Sequence, residues 1–381
     1  MRKFFSNPAV REGLRVLIAV SSALLLGFIV TLFVSEDPLG AYKAFLLGPV
    51  SKFNRFGDWI EESITLIFVG LSVAIAFKAN LFSMGTEGQL LLGALVSGSI
   101  ALFVPLPAIL RIPLAIIAAM VAGFIWGWIP GYLKAYLDAN EIVSTLMLNA
   151  IALKLYDYFL IFHIKPPDAG YNSSDFFPKE GTLMSFIPNL PFLKGVYTLF
   201  SDKTNITIML YILIIAVIAA YYLIYRTPFG YKLRMIGANI KFARYGGINT
   251  KRTIILVFAI SGIFGGLAGA HLTMGIHTKL IANISVGMGF EGIVVSILAR
   301  NNPLLIPFTG LAYGYLRAGA NVMERASDMS REMVFVIQAL IILFVTAERF
   351  LPTIQKRIEM RKENNTHMEK LAPSDGGSHE V

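Results

Sequence analysis

Ile206-Thr207-Ile208-Met209-Leu210-Tyr211-Ile212-Leu213-Ile214-Ile215-Ala216-Val217-Ile218-Ala219-Ala220-Tyr221-Tyr222-Leu223-Ile224-Tyr225 is an unbroken apolar run of 20 residues without a charge. A helix of about 20 residues is what the hydrocarbon core of a bilayer requires. The next stretch of chain is as informative. From Arg226 to Arg252 there are seven basic residues (Arg226, Lys232, Arg234, Lys241, Arg244, Lys251, Arg252) and no acid. Basic connections stay on the cytoplasmic side of a membrane. One span and one loop therefore predict an integral membrane protein with 226–252 facing the cytoplasm.

The rest of the chain agrees. Of its 381 residues 55% are hydrophobic and 15% charged, against roughly 45–50% and about 25% in soluble domains. Apolar windows predict an all-α polytopic fold with about ten transmembrane crossings. They fall near 16–35, 61–77, 85–104, 113–133, 141–163, 206–225, 253–274, 286–300, 303–318 and 333–347. The run from Val16 to Ser35 is longer than the roughly 7–15 residues of a cleavable signal core, and reads as a retained anchor. With an even number of crossings both termini lie inside, and 36–60 and 164–205 lie outside. The second of these loops carries four basic residues, four acidic ones and five prolines, with no cytoplasmic signature. Residues 1–351 thus form one transmembrane domain. The basic-then-polar stretch 352–381 has no apolar periodicity and is expected to be a disordered cytoplasmic tail.

Charge and chemistry exclude several classes. The net charge of +9 follows from loop placement and implies contact with anionic lipid, not nucleic acid. Cysteine is absent and the five histidines are scattered, so no metal site, cofactor site or catalytic set is expected. No Gly-x-x-x-x-Gly-Lys-[Ser/Thr] loop occurs. The chain is read as a transport component and not as an enzyme.

Two phrases recur. Met84-Gly85-Thr86-Glu87-Gly88 returns as Met288-Gly289-Phe290-Glu291-Gly292, and Gly127-Trp128-Ile129-Pro130-Gly131-Tyr132-Leu133-Lys134-Ala135 as Gly310-Leu311-Ala312-Tyr313-Gly314-Tyr315-Leu316-Arg317-Ala318. The second phrase falls at the inner end of one predicted span and the outer end of another. Copies of that kind run in opposite senses, so two inverted repeats with broken helices are expected, the plan of many permeases.

Several polar residues interrupt these spans. Glu87 and Glu291 sit at Gly-rich helix starts, where a carboxylate either compensates free N–H groups and the helix dipole or lines a solute path. Asn80, Gln89 and Asn149 join them as candidates for that path. Glu141, Thr145 and Asn149 share one helical stripe, which suits a pore lining or interhelical hydrogen bonding equally. Glycine pairs at small-xxx-small spacing (Gly123, Gly127, Gly131; Gly262, Gly266; Gly265, Gly269; Gly310, Gly314) predict close helix packing.

The basic loop contains its own short element. Asn239 is a good N-cap and Gly246 a helix stop, so about two helical turns are expected between them. Gly237-Ala238-Asn239 through Ala243-Arg244-Tyr245-Gly246-Gly247-Ile248 resembles the coupling-helix region of ABC importer permeases of the branched-chain amino acid/ribose type. Asn80-Leu81-Phe82-Ser83-Met84-Gly85-Thr86-Glu87-Gly88-Gln89 is similar to that family's Asn-x-Phe-Asn-Ile-Gly-x-Glu-Gly-Gln signature. Asn140 to Asn149, and Gly289 through Asn302-Pro303, are similar to its nucleoside branch.

The resemblance implies a bacterial plasma-membrane permease that pairs with a second, paralogous permease subunit, as a heterodimer more readily than a homodimer. It also implies two ATP-binding subunits and an extracytoplasmic solute-binding lipoprotein. Gly237, Ala238, Asn239, Ala243, Arg244 and Gly246 would seat in the ATPase, and the cargo would be a nucleoside. A simple sugar within the same family, or an ion-coupled secondary transporter using Glu87 or Glu291, are the alternatives.

Overall fold

A computed structural model describes residue 22, residues 24–183 and 204–330, and the positions 332–337, 339–340 and 343. The tail 352–381, most of the first predicted span before residue 24, the middle of the long loop at 184–203 and much of the last window lie outside the described residues.

Among the described residues the chain is helical, with one isolated bridge between Ser173 and Ile281. The helices are α1 (Leu24–Val34), α2 (Pro38–Leu47), α3 (Phe53–Lys78), α4 (Thr86–Phe103), α5 (Ala108–Leu137), α6 (Glu141–Phe159), α7 (Met209–Arg226), α8 (Pro228–Ala238), α9 (Ile240–Tyr245), α10 (Thr250–His271), α11 (Met288–Leu298) and α12 (Ile306–Ala326). Two compact units divide the chain. In the smaller one, which holds residues up to Tyr42 and from Met323 onward, Asp328 accepts hydrogen bonds from Ser35 Oγ at 2.6 Å and from the Glu36 N–H at 2.7 Å.

The larger unit, Lys43–Val322, holds every candidate site residue named from the sequence. Six of its helices are long and apolar enough to cross a membrane: α3, α4, α5, α6 with its π-helical end to Ile164, α7, and α10 with its π-helical end to His277. In the apolar windows of α3 and α10, 83% and 78% of residues are buried, against 28% in α5, α6 and α7. The first two are therefore the central helices and the last three form the periphery. On α5 the exposed apolar residues Leu110, Leu114, Ile117, Val121 and Ile125 recur every three or four positions. Such a stripe suits lipid, because hydrocarbon tails are as apolar as leucine.

Two predicted windows take another form. The window at 286–300 holds only the 11 residues of α11, about 16 Å of helix, too short to span. The window at 303–318 becomes α12, which is long enough but carries Arg317, Glu324 and Arg325.

Glycine sets the closeness of the core. A side chain at Gly123 would strike the carbonyl oxygen of Gly262, one at Gly266 that of Ala119, one at Gly127 that of Phe258, and one at Gly269 that of Leu90. The small-xxx-small faces thus lock α5 and α4 onto α10. Gly310 and Gly314 likewise lie against Ile67 and Ser63 of α3.

The same pairings fix direction. On α10, Ser261 lies across from Ser72 through Gln89, and His271 lies across from Thr65 and Glu61, so α10 runs antiparallel to α3. Gly123, Gly127 and Gly131 meet Gly262, Phe258 and Ile255, so α5 runs antiparallel to α10. Gly310 and Gly314 meet Ile67 and Ser63 in descending order, so α12 runs antiparallel to α3. It follows that α5 and α12, which carry the two copies of the second phrase, run in opposite senses.

The loops separate by end. Lys78 and Arg234 both lie over the Tyr225 ring, at 5.7 and 5.4 Å, and Lys251 lies over Tyr136 at 4.7 Å. The basic loop 226–252 therefore gathers at the C-terminal ends of α3, α5 and α7. At the far end of α10, the described part of the long loop pairs with the chain after His271. Ser174 N–H donates to Leu280 O at 2.8 Å, and Leu183 N–H to Met274 O at 3.1 Å.

Candidate functional site

Both recurring Met-Gly-x-Glu-Gly phrases begin helices, with Gly85 and Gly287 as the N-cap residues of α4 and α11. Neither cap position supplies a side-chain hydrogen bond, although a helix start leaves four N–H groups without intrahelical partners. Other helices supply what is missing.

For α4 the donor of help is α6. Asn149 Oδ1 accepts the Gly88 N–H at 2.9 Å and its Nδ2 donates to Met84 O at 2.8 Å. Thr145 Oγ1 accepts the Met84 N–H at 3.2 Å and donates to its own Glu141 O at 2.6 Å. Glu141 completes the stripe by pairing with Lys134 at 3.1 Å. Of the two uses open to this stripe, interhelical hydrogen bonding is the one the geometry displays.

For α11 the donor of help is α4. Glu87 Oε2 accepts the Gly289 N–H at 2.6 Å, and Oε1 accepts the hydroxyl of Ser285. The carboxylate thus compensates a helix start, but not that of its own helix. A Cβ on Gly289 would lie 2.6 Å from Glu87 N and 2.7 Å from its Cα, so only glycine lets the two breaks touch. The chain ahead of α11 is irregular and buried at Leu280, Ile284 and Ser285, and Gly287 turns it with a φ of 78°. Non-helical backbone at this depth is tolerated where protein or a water-filled cavity satisfies it.

Gln89 is buried one turn further on. Its Oε1 accepts from Ser72 Oγ at 3.0 Å and its Nε2 donates to Ser261 at 3.4 Å, joining α3, α4 and α10. Asn80 stands apart from this group. It is exposed with a φ of 56°, and the bonds Leu81 N–H to Ala76 O and Asn80 N–H to Phe77 O close the end of α3. Asparagine suits that left-handed closing position.

Glu291 belongs to a second cluster. Arg317 of α12 reaches it through Nη1 at 2.5 Å and reaches Glu62 of α3 through Nε at 2.8 Å. Asn321 Nδ2 donates to Glu62 Oε1 at 2.8 Å. The side chains of Arg317, Glu62 and Glu291 keep 13%, 18% and 19% of their surface accessible. The neighbouring Glu61 is buried and holds His271 Nε2 at 2.7 Å and the Thr207 N–H at 2.8 Å, while His271 Nδ1 meets Thr65 Oγ1 at 2.8 Å. Sequence reasoning passed over Glu61, Glu62, Arg317, Asn321, Ser285 and His271. Arg317 alone left a legible signal, as a charge in an apolar span that repeats Lys134.

In the basic loop, Asn239 Oδ1 accepts the N–H groups of Lys241 and Phe242 at 2.9 and 3.1 Å and starts α9. The helix ends at Tyr245 with Gly246 as cap, and the left-handed residue is Gly247, with a φ of 78°. Ile248 N–H bonds Ala243 O and Gly247 N–H bonds Arg244 O, the paired closure that a glycine at this position favours. Ala243 faces inward, with 1% of its surface exposed. Gly237, half-buried, packs against Lys78 O. Ala238, Asn239, Arg244 and Gly246 are exposed, and the outward surface is dominated by Phe242 and Tyr245, at 61% and 91% exposure.

Residues 56–346 match the family model described as "Branched-chain amino acid transport system / permease component". The glucose ABC transporter permease protein TsgB13 of Haloferax volcanii is 30% identical over 94% of this chain and 92% of its own length. The nucleoside ABC transporter permease protein NupB of Lactococcus lactis subsp. cremoris is 30% identical over 90% and 93%. The guanosine ABC transporter permease protein NupP of Bacillus subtilis is 29% identical over 91% and 97%. No solved structure matches the chain.

Proposed function

The chain belongs to the branched-chain amino acid transport system permease family, and on that premise we propose that it is the membrane-spanning subunit of an ATP-driven importer for nucleosides. Two of these three relatives are named for nucleoside or guanosine transport, at nearly full length on both sides. This is the observation that carries the cargo assignment. The glucose permease at 30% identity favours a sugar as the second reading.

ATP hydrolysis falls to partner chains, since this sequence has no phosphate loop of its own. In this reading α9 is the coupling helix, seated in the ATPase through Ile240, Phe242, Tyr245 and the exposed Arg244. The basic loop and both termini face the cytoplasm. The opposite senses of α5 and α12 support two inverted repeats within about ten crossings. A second permease subunit, as a heterodimer, and an extracytoplasmic binding lipoprotein complete the assembly. The broken starts of α4 and α11 border the solute path.

Uptake of labelled guanosine and of labelled glucose, in cells expressing the chain with the genes that flank it, tests the cargo. Guanosine uptake that unlabelled uridine competes and glucose does not is expected. Glucose uptake alone would replace the assignment with the sugar reading.

A further inference from the structure

With its π-helical end, α6 runs from Glu141 to Ile164, 24 residues or about 36 Å, and Lys154 stands near its middle. The nearer end lies about 15 Å away along the axis, too far for a lysine stem to carry its ammonium out to water. Lys154 is exposed, and Asp157, one turn further on, is half-buried. Neither side chain makes a hydrogen bond or ion pair among the described residues, with the other or with any neighbour. An ammonium and a carboxylate left so in hydrocarbon would be costly, and such groups meet another protein or water.

The surroundings favour protein. Val143, Met147, Ile151, Lys154, Tyr158 and Ile161 recur every three or four positions and share one exposed face of α6. A wall facing water would be polar, whereas this face is apolar and aromatic apart from its lysine, and aromatic side chains and methionine are enriched in protein interfaces. The exposed middles of α5 and α7, with Ile117, Val121, Ile214 and Ile218, carry no charge and suit lipid. The opposite side of α6 is already taken, because Thr145 and Asn149 hold Met84 and Gly88 at the start of α4.

We infer that this face of α6 seats a second, different permease subunit, which sets a carboxylate against Lys154 and a hydrogen-bond donor or base against Asp157. A second copy of this chain is disfavoured. Identical helices related by a two-fold axis along the membrane normal meet at equal depth, so Lys154 would face Lys154. Juxtaposed like charges suppress that pairing, and a complementary charge at mid-membrane selects the other subunit. This deepens the permease reading and rests on it.

The test uses the full complex, expressed from the chain with the genes that flank it. A photoreactive p-benzoylphenylalanine placed at Ile151 is irradiated in membranes, and its adducts are identified by mass spectrometry. An adduct with a second permease chain is expected, and no protein adduct from the same probe at Ile215 on α7. An adduct with another copy of this chain, or with lipid alone, would overturn the proposal.

Charge is tested separately. Lys154→Leu suits a lipid-facing position, but against a partner carboxylate it strands that acid. Retention of the second permease on the purified chain should then fall at least about tenfold, and Lys154→Arg should keep it. Full retention in Lys154→Leu would overturn the charge pairing. The chain has no cysteine, so Lys154→Cys is a single probe for water. Its rapid reaction with a charged methanethiosulfonate in the assembled complex would overturn the interface. The photoreactive probe leaves Lys154 and Asp157 intact, so its result stands even where a charge variant fails to insert. Guanosine uptake by the unmodified chain is measured apart, so a failed cargo reading and a failed interface give different results.

Discussion

The carboxylate of Glu87, in the first turn of α4, accepts the backbone N–H of Gly289 at the start of α11, 202 residues further along the chain. The acidic residue of the first Met-Gly-x-Glu-Gly phrase thus caps the helix that carries the second. Since α6 caps α4 through Asn149, the two breaks belong to one chain of support from α6 to α4 to α11. A displacement of either break must alter the other.

Charge and shape at Glu87 can be separated. In Glu87→Gln the amide oxygen still accepts from Gly289, and the amide nitrogen can donate to the Ser285 hydroxyl, which rotates to accept. Only the charge–dipole contribution is lost, about 1 kcal/mol, and uptake is expected to persist with modestly lowered thermal stability. Glu87→Ala strands both donors at a cost of about 1–3 kcal/mol and should reduce folded protein. Collapse of uptake in Glu87→Gln at an undiminished protein level would instead favour an ion-coupled carrier.

Gly289→Ala places a methyl group against the Glu87 backbone. Backbone cannot yield as a side-chain tip does, and overpacking of this kind costs about 1–3 kcal/mol. Melting of the purified complex should fall, and Glu87→Gln should not restore it, because the clash is with the Glu87 main chain as well as its carboxylate.

Gly262 and Gly123 face each other so closely that each would drive a Cβ into the other's carbonyl. Gly262→Val is therefore expected to abolish assembly of α5 onto α10, read as loss of full-length protein from the membrane. Gly170, which has open space around it, should accept Ala without effect.

Local and distant information diverge in this chain. Six long apolar helices, the Asn239 cap and the helix starts at both Gly-rich phrases were legible, because composition and short-range hydrogen bonding determine them. The helix stop lies at Gly246 as expected, the cap that follows Tyr245, while the closing bonds to Ala243 and Arg244 place the left-handed conformation on the next residue, Gly247. The partners of Glu87 and Glu291 were not legible. Ser285 meets Glu87, and Arg317 meets Glu291 and Glu62, only through tertiary packing; the charge of Arg317 in an apolar span was visible, but not its partners. Ala243 illustrates the same limit: a small residue in a basic loop reads as a docking contact, whereas packing turns it inward.

Orientation has a direct test. Residues 226–252 and the described part of 164–183 gather at opposite ends of α10, so one label on each decides the topology. Tyr245→Cys should react with an impermeant maleimide only after the membrane is opened, and Asp168→Cys in intact cells. The reverse pattern would invert the arrangement and place α9 where no ATPase is.

The coupling role of α9 rests on its outward face. Phe242 and Tyr245 are aromatic side chains left 61% and 91% exposed in this chain. Exposed aromatic anchors of this kind carry a large share of interface energy once a partner covers them. Phe242→Ala together with Tyr245→Ala should leave insertion and thermal stability within about 0.5 kcal/mol, as surface changes do, yet lower ATPase association and uptake at least about tenfold. Ala243→Glu is the contrasting variant. It buries a carboxylate behind the helix, so it should destabilise the loop itself and lose protein. The two variants separate docking from folding. Normal uptake and normal ATPase retention in the double aromatic variant would dismiss α9 as the docking element and leave the basic loop as a lipid contact.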